Sequence, residues 1–224
     1  MNRLFGSVFL LVLLGCSAIS AKWMIADFYG ERVALSLDHW NRTNTSPDLD
    51  ILDRHLEFIS QARKLSPNSA RYMELEAQLR LKRLFDIPFI DFVQELNIML
   101  DLHSSALEHR PNWPFSWANM VYVKGILREY DTGYEQALNG FMKYGAYEAA
   151  GLLRVISISA RSGSWQNISE DAREQIYLAT ANLAELNRNM SRSVRRHLQD
   201  QQLLTQFCEE TPFYTEQGRS RICG

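Results

Sequence analysis

Arginine and tryptophan supply the residues whose types and spacing in this chain suit ligand chemistry. Arg188, Arg192, Arg195 and Arg196 lie between Glu185 and Asp200 with no acid among them. On a helix they share one face, and a row of guanidinium groups suits an anionic polysaccharide, lipid headgroups or an acidic partner. The plainer role is solvation of a helix surface and compensation of the C-terminal dipole of the preceding helix, and the sequence favours that role. The second set lies in residues 110–124, RPNWPFSWANMVYVK. Trp113 and Trp117 are four apart, so one ring can pack over the other. Tryptophan faces suit sugar rings, but core packing is the favoured role. Arg110 either caps carbonyls of the preceding helix, the favoured role, or binds an acidic sugar.

Other chemistry finds less support. The histidines are His39, His55, His103, His109 and His197, with no His-x-x-x-His spacing and no HExxH. His103 falls on an apolar helical face and reads as a satisfied core histidine. Carboxylates pair at Glu74 with Glu76, Asp86 with Asp91 and Glu209 with Glu210. Glu74 and Glu76 are two apart, hence on different sides of a helix, whereas a glycosidase needs carboxylates facing across a cleft. They read as solvated surface. GxSxG, P-loop and GxGxxG patterns are missing. The expectation is a protein that is not an enzyme, with no catalytic residue, no cofactor and no metal.

The cysteines are Cys16, Cys208 and Cys223. In an exported protein a Cys208–Cys223 disulfide is expected, pinning a tail that otherwise frays. Export follows from residues 4–21, which carry no charge and are preceded by Arg3. Three fates fit them. Ala18-Ile19-Ser20 suits a signal peptidase. Leu13-Leu14-Gly15-Cys16 resembles a bacterial lipobox, which would lipidate Cys16. The segment can also stay as a signal anchor, extended by Trp23-Met24-Ile25-Ala26, and this is slightly favoured. Each fate puts the rest of the chain outside the cytoplasm.

The elements that must position these residues are helical. Apolar three- and four-residue steps predict helices over 26–40, 48–65 (with Ser46-Pro47 as its N-cap and first position), 69–85, a long stretch from Phe89 to beyond Leu107, 115–128, 134–143 and 146–161. A long helix follows Asn167, which with Glu170 resembles a capping box, and a last one covers 192–207. Asp86-Ile87-Pro88, residues 110–114 and Ser162-Gly163-Ser164 punctuate the chain. Residues 154–159 form the one strand candidate and read as a buried helix. Pro67-Asn68 recurs as Pro111-Asn112, and Gly125, Ala137 and Phe141 have the spacing of the small and aromatic positions of a tetratricopeptide repeat. Lys124 and Arg128 fall where that repeat wants apolar residues. The expected fold is all-α, stacked antiparallel helix pairs with degenerate tetratricopeptide-like repeats. The expected layout is an anchor or signal over 1–22, a helical-repeat domain over 23–207 and a disulfide-tied tail over 208–224.

Composition sets outer limits. Hydrophobic residues make up 46% and charged residues 22% of the 224, so the chain is globular. Lys+Arg is 24 against Asp+Glu 26, which leaves no basic field and argues against nucleic acid. One apolar segment excludes a multi-span transporter.

Residues 110–124 resemble a motif of the VpsP family of exopolysaccharide biosynthesis proteins, Arg-Pro-x-Trp-Pro followed by Trp-Ala and a Leu-rich helix. Arg110, Pro111, Trp113, Pro114, Trp117 and Ala118 match, and Met120 replaces a leucine. The N-terminal apolar segment and Asp27-Phe28-Tyr29 match as well. The resemblance implies an accessory, exported helical protein of a bacterial biofilm polysaccharide system. Its partners would be the membrane, polysaccharide polymerisation or export proteins and an anionic polysaccharide, in the periplasm as an anchored protein or lipoprotein. The family brings no catalytic residues. The other expectation is a protein that binds or acts on the nascent polysaccharide.

Overall fold

The computed structural model describes residues 2–84, 89–161 and 165–224, and its contacts divide the chain into two compact units, Met1–His109 and Arg110–Gly224. The break falls in the proline-rich punctuation at 110–114. Among the described residues the secondary structure is helical and no strand is present. The punctuation read at Asp86-Ile87-Pro88 and at Ser162-Gly163-Ser164 lies outside the described residues.

In the first unit, helix α1 (Asn2–Thr43) runs unbroken from the apolar segment into the folded part. Residues 9–25 are exposed, and the first buried position is Ala26. From there Ala26, Val33 and Leu37 meet α2 (Leu49–Leu65) and α3 (Ala70–Arg83) in a core with Leu52, Ile59 and Leu79. The N-cap of α2 is Asp48 rather than Ser46, because the first helical bonds run to the Asp48 carbonyl from Ile51 and Leu52. Tyr72 of α3 donates to Asp27 at 2.6 Å and covers Gly30, where a Cβ would sit 2.5 Å from its ring. Gly30 thus lets the two helix backbones approach.

Helix α4 (Phe89–His109) packs on α3 through Met73, Ala77, Leu102 and Ala106. Of the carboxylates read as solvated surface, Asp91, Glu209 and Glu210 are exposed, Asp86 lies outside the described residues, and Glu74 and Glu76 are buried here. Glu74 and His103 meet at 3.2 Å, with His103 only 1% exposed. Glu76 accepts from Arg80 and Arg63, and Glu95 accepts from Arg80 at 2.7 Å and from Arg83 at 2.8 Å. The partners come from α2, α3 and α4, so burial of these acids could not be read from the local spacing of two.

In the second unit, α5 (Pro114–Leu127) and α6 (Thr132–Gly145) form an antiparallel pair: the end of α5 meets the start of α6 through Lys124 and Asp131, and Gly145 at the end of α6 sits against Pro114. Helix α7 (Ala149–Ser159) covers α5 in parallel, Gly151 by Ala118 and Ile158 by Gly125. Helix α8 (Glu170–Leu186) then packs on α6 and α7. Phe141, 0% exposed, fills the space above Gly145 and Gly151, whereas Gly125 lies under Ile158 of α7, so these two repeat-spaced positions are close-packed against different partners. Lys124 is anchored by Asp131 at 3.0 Å and Glu129 at 3.2 Å. Burial pulls the Lys124 ammonium down, yet those two carboxylates outweigh it and hold its pKa above the ordinary value. Arg128 ends α5 in the left-handed region, φ 60°. Both departures from the repeat pattern are therefore end-of-helix devices.

Helix boundaries in the second unit also differ from the sequence reading. Ser169, not Asn167, caps α8, accepting from the Ala172 amide at 3.3 Å. The helix expected to continue through Met190 stops at Leu186, and Asn187 caps a new helix, α9 (Arg188–Asp200), by accepting from the amides of Asn189 and Met190. The helix expected over 192–207 is two, α9 and α10 (Leu204–Glu210), separated by Gln202 at φ 60°. A last helix, α11 (Glu216–Ile222), packs on α8 and α9.

Cys208 and Cys223 form a disulfide with Cα atoms 5.7 Å apart and a sequence separation of 15. Closing a loop of that size stabilises by ~3 kcal/mol in the chain-entropy model. Cys208→Ser with Cys223→Ser is therefore expected to lower unfolding free energy by about that amount. Denaturant titration of oxidised wild type against the variant checks it.

Candidate functional site

The tryptophan motif is held by its own turn. The Trp113 amide bonds the Arg110 carbonyl at 3.1 Å, and Pro114 opens α5 at its first position, where the missing N–H costs nothing. Trp117, one turn into α5, reaches back so that its Nε1 donates to the Pro111 carbonyl at 2.8 Å. Its ring lies over Gly140 of α6, where a Cβ would come within 2.5 Å. One side chain thus fixes the proline entry and locks α5 to α6. The arrangement expected from the four-residue spacing, one tryptophan over the other, gives way to separate partners. Trp113 is half-buried, packs against Phe115 at 5.4 Å between ring centroids, and carries the Arg110 guanidinium 3.7 Å above its ring. Arg110 therefore stacks on an aromatic face and occupies the side a sugar ring would use.

The four arginines of α9 lie on its outer side. Val194, Leu198 and Ser191 turn inward to the core, which leaves Arg188, Arg192 and Arg196 exposed and Arg195 half-exposed. None of the four makes an ion pair or a side-chain hydrogen bond with another described residue. The dipole compensation expected of them at the end of α8 is supplied elsewhere. Arg221 of α11 donates to the carbonyls of Ala184 at 2.6 Å and Glu185 at 2.9 Å, and Ser191 reaches the Leu183 carbonyl at 3.3 Å. Sequence spacing could not find Arg221, because the cap arrives from 36 residues away.

No family model matches the chain, and no curated protein matches it.

A groove between α6 and α8, about 270 Å³ in volume, is lined by Glu135, Asn139, Asp171, Glu174 and Gln175. Sequence reasoning missed it, since its acids sit on helices 36 or more residues apart. Glu135 and Asp171 each lie in the first turn of their helix, where a carboxylate complements the dipole. Trp113 and Trp117 do not line this groove. Among the described residues no group of three His, Cys, Asp or Glu is placed to hold a metal ion. Cys16 is a free, exposed thiol on α1.

Behind the arginine face, His197 is half-buried against the end of α7, and its Nε2 is buried with no partner among the described residues. Burial lowers its pKa from the ordinary 6.5; bonding to the backbone at Ala160 opposes that, and Arg161 adds to it. The folded state binds this proton less well than the unfolded chain. Stability is thus fully present above pH 6.5 and falls as the pH drops through the lower folded-state pKa. Melting temperature against pH should show that loss in wild type, and His197→Gln should reduce it. Equal slopes would remove His197 as the cause.

Proposed function

We propose that this chain is an accessory scaffold of bacterial exopolysaccharide biosynthesis or export, tethered in the inner membrane and working on the periplasmic side, as the VpsP-like motif implies. The observation that carries the tether is the unbroken α1. Its exposed apolar part is long and apolar enough to cross a membrane, and the same helix enters the folded core at Ala26 without a hinge. Eighteen uncharged residues at 1.5 Å rise span ~27 Å, close to a bilayer core. The disulfide fits an oxidising compartment. Support for a scaffold comes from the helix pairs of both units, an architecture that presents extended surfaces to partners. Support for a tryptophan motif that serves the fold comes from Trp117, which is engaged by Pro111 and Gly140.

A second reading, a protein that binds or acts on the nascent polysaccharide, is favoured by the groove lined by Glu135, Asp171 and Glu174. Cell-bound and secreted polysaccharide, measured in a deletion strain complemented with wild type, separates the two. A scaffold loses polymer on deletion and regains it with Glu135→Gln plus Glu174→Gln. Failure of that folded variant transfers the role to the groove. Polymer unchanged on deletion, in a host that makes it, rules out the exopolysaccharide reading.

A further inference from the structure

We infer that the outer face of α9 is a docking surface for an extended, carboxylate-bearing polysaccharide; this rests on the exopolysaccharide reading and adds the chemistry of the polymer. The first support is that the arginines do no structural work. Arg221 and Ser191 already hold the carbonyls at the end of α8. Arg188, Arg192, Arg195 and Arg196 form no ion pair among the described residues, whereas Arg42, Arg63, Arg71, Arg80 and Arg83 do. The second is that α9 loses stability by opening on Arg188. Its first turn holds no acid and begins with Arg188, so positive charge meets the positive end of the helix dipole. A local conflict of this kind, with no compensating contact, marks a functional position.

The geometry selects the ligand. Arg188, Arg192 and Arg195 follow at four- and three-residue steps, a straight row with rises of ~6 and ~4.5 Å, and Gln199 continues it. All four cations are arginines, whose planar fork takes carboxylates two bonds at a time. No large apolar side chain on α9 is exposed, so the face has nothing to insert into a bilayer and no anchor for the core of a protein interface. A linear, hydrated polyanion needs neither, and the amides of Asn189 and Gln199 suit its hydroxyls.

The test is fluorescence anisotropy with a labelled polygalacturonate oligomer and the full chain in uncharged phosphatidylcholine nanodiscs. Arg192→Gln with Arg195→Gln should weaken binding at least tenfold. Arg54→Gln with Lys64→Gln, the same change in charge on exposed residues of the first unit, should change it less than twofold. Replacing all four arginines by lysine should still cost about threefold, because charge remains and the fork is lost. Circular dichroism checks that the variants fold. No binding of the oligomer, equal loss in both double variants, equal binding of neutral dextran, or tighter binding to phosphatidylglycerol vesicles or polyglutamate each overturns the inference. Absent binding combined with polymer loss on deletion fails the docking face alone. Arginine-dependent binding combined with unchanged polymer on deletion fails the exopolysaccharide reading and keeps the polyanion face.

Discussion

Phe141→Ala is expected to lower the stability of the second unit by about 4 kcal/mol, the middle of the range for truncating a buried aromatic. Phe141 is fully buried, and its ring rests on Gly145 and Gly151, so α5, α6 and α7 lose their filler together. Collapse cannot close the space cheaply. Pro114, which also meets Gly145, is fixed in turn by the Trp117 bond to Pro111. Phe141→Leu should recover more than half of the loss. The same contacts make the glycines intolerant: a Cβ at Gly151 would lie 2.6 Å from the ring. Gly151→Val is thus expected to cost ~2 kcal/mol through overpacking. Denaturant titration followed by tryptophan fluorescence measures both. A loss below about 1 kcal/mol for Phe141→Ala would mean the ring is not the keystone of the α5–α6–α7 core.

In the first unit the largest effect belongs to Arg80, and Arg80→Ala is expected to cost about 3 kcal/mol. Its guanidinium joins Glu76 of its own helix to Glu95 of α4, and both carboxylates are nearly buried. Removing it leaves two desolvated acids with one cation each, Arg63 and Arg83. A well-packed replacement behaves differently. Arg80→Met with Glu95→Leu removes charge from both sides, so it should cost less than the single change, the signature of an unpaired buried charge rather than lost contact area. Thermal unfolding of the two variants decides it, and a double variant worse than the single would point to packing by the arginine stem.

How far the sequence can be read follows the range of the interactions involved. Helices such as α2 and α7 announce themselves through 3.6-residue periodicity, because each buries one stripe. Gly125 and Phe141 are marked by repeat spacing and both sit at close helix contacts, but Gly125 meets Ile158 and Phe141 meets Gly145 and Gly151, partners which that spacing does not name. The arginine face of α9 is legible for the same reason. What escapes depends on distant partners. Glu76 and Glu95 are buried only because arginines from two helices, α2 and α3, meet them. The stop at Asn187 depends on a single side chain capping the next helix and on Arg221 closing the last one, with no proline or glycine to mark it. Arg110 is expected on a helix end from its position, yet its guanidinium lies on the Trp113 ring three residues away.

The central claim is that α1 is a tether with the folded units outside the cytoplasm. The direct measurement is mass spectrometry of the membrane-bound chain from intact spheroplasts, after protease treatment and with thiol labelling. A tether predicts a chain retained in the membrane with residues 1–22 still attached, Cys16 unlipidated, Cys208 and Cys223 oxidised, and both units digested from outside. A chain beginning near Ala21 in the soluble periplasm, a lipidated Cys16 at the N-terminus, or reduced and protected cysteines would contradict it.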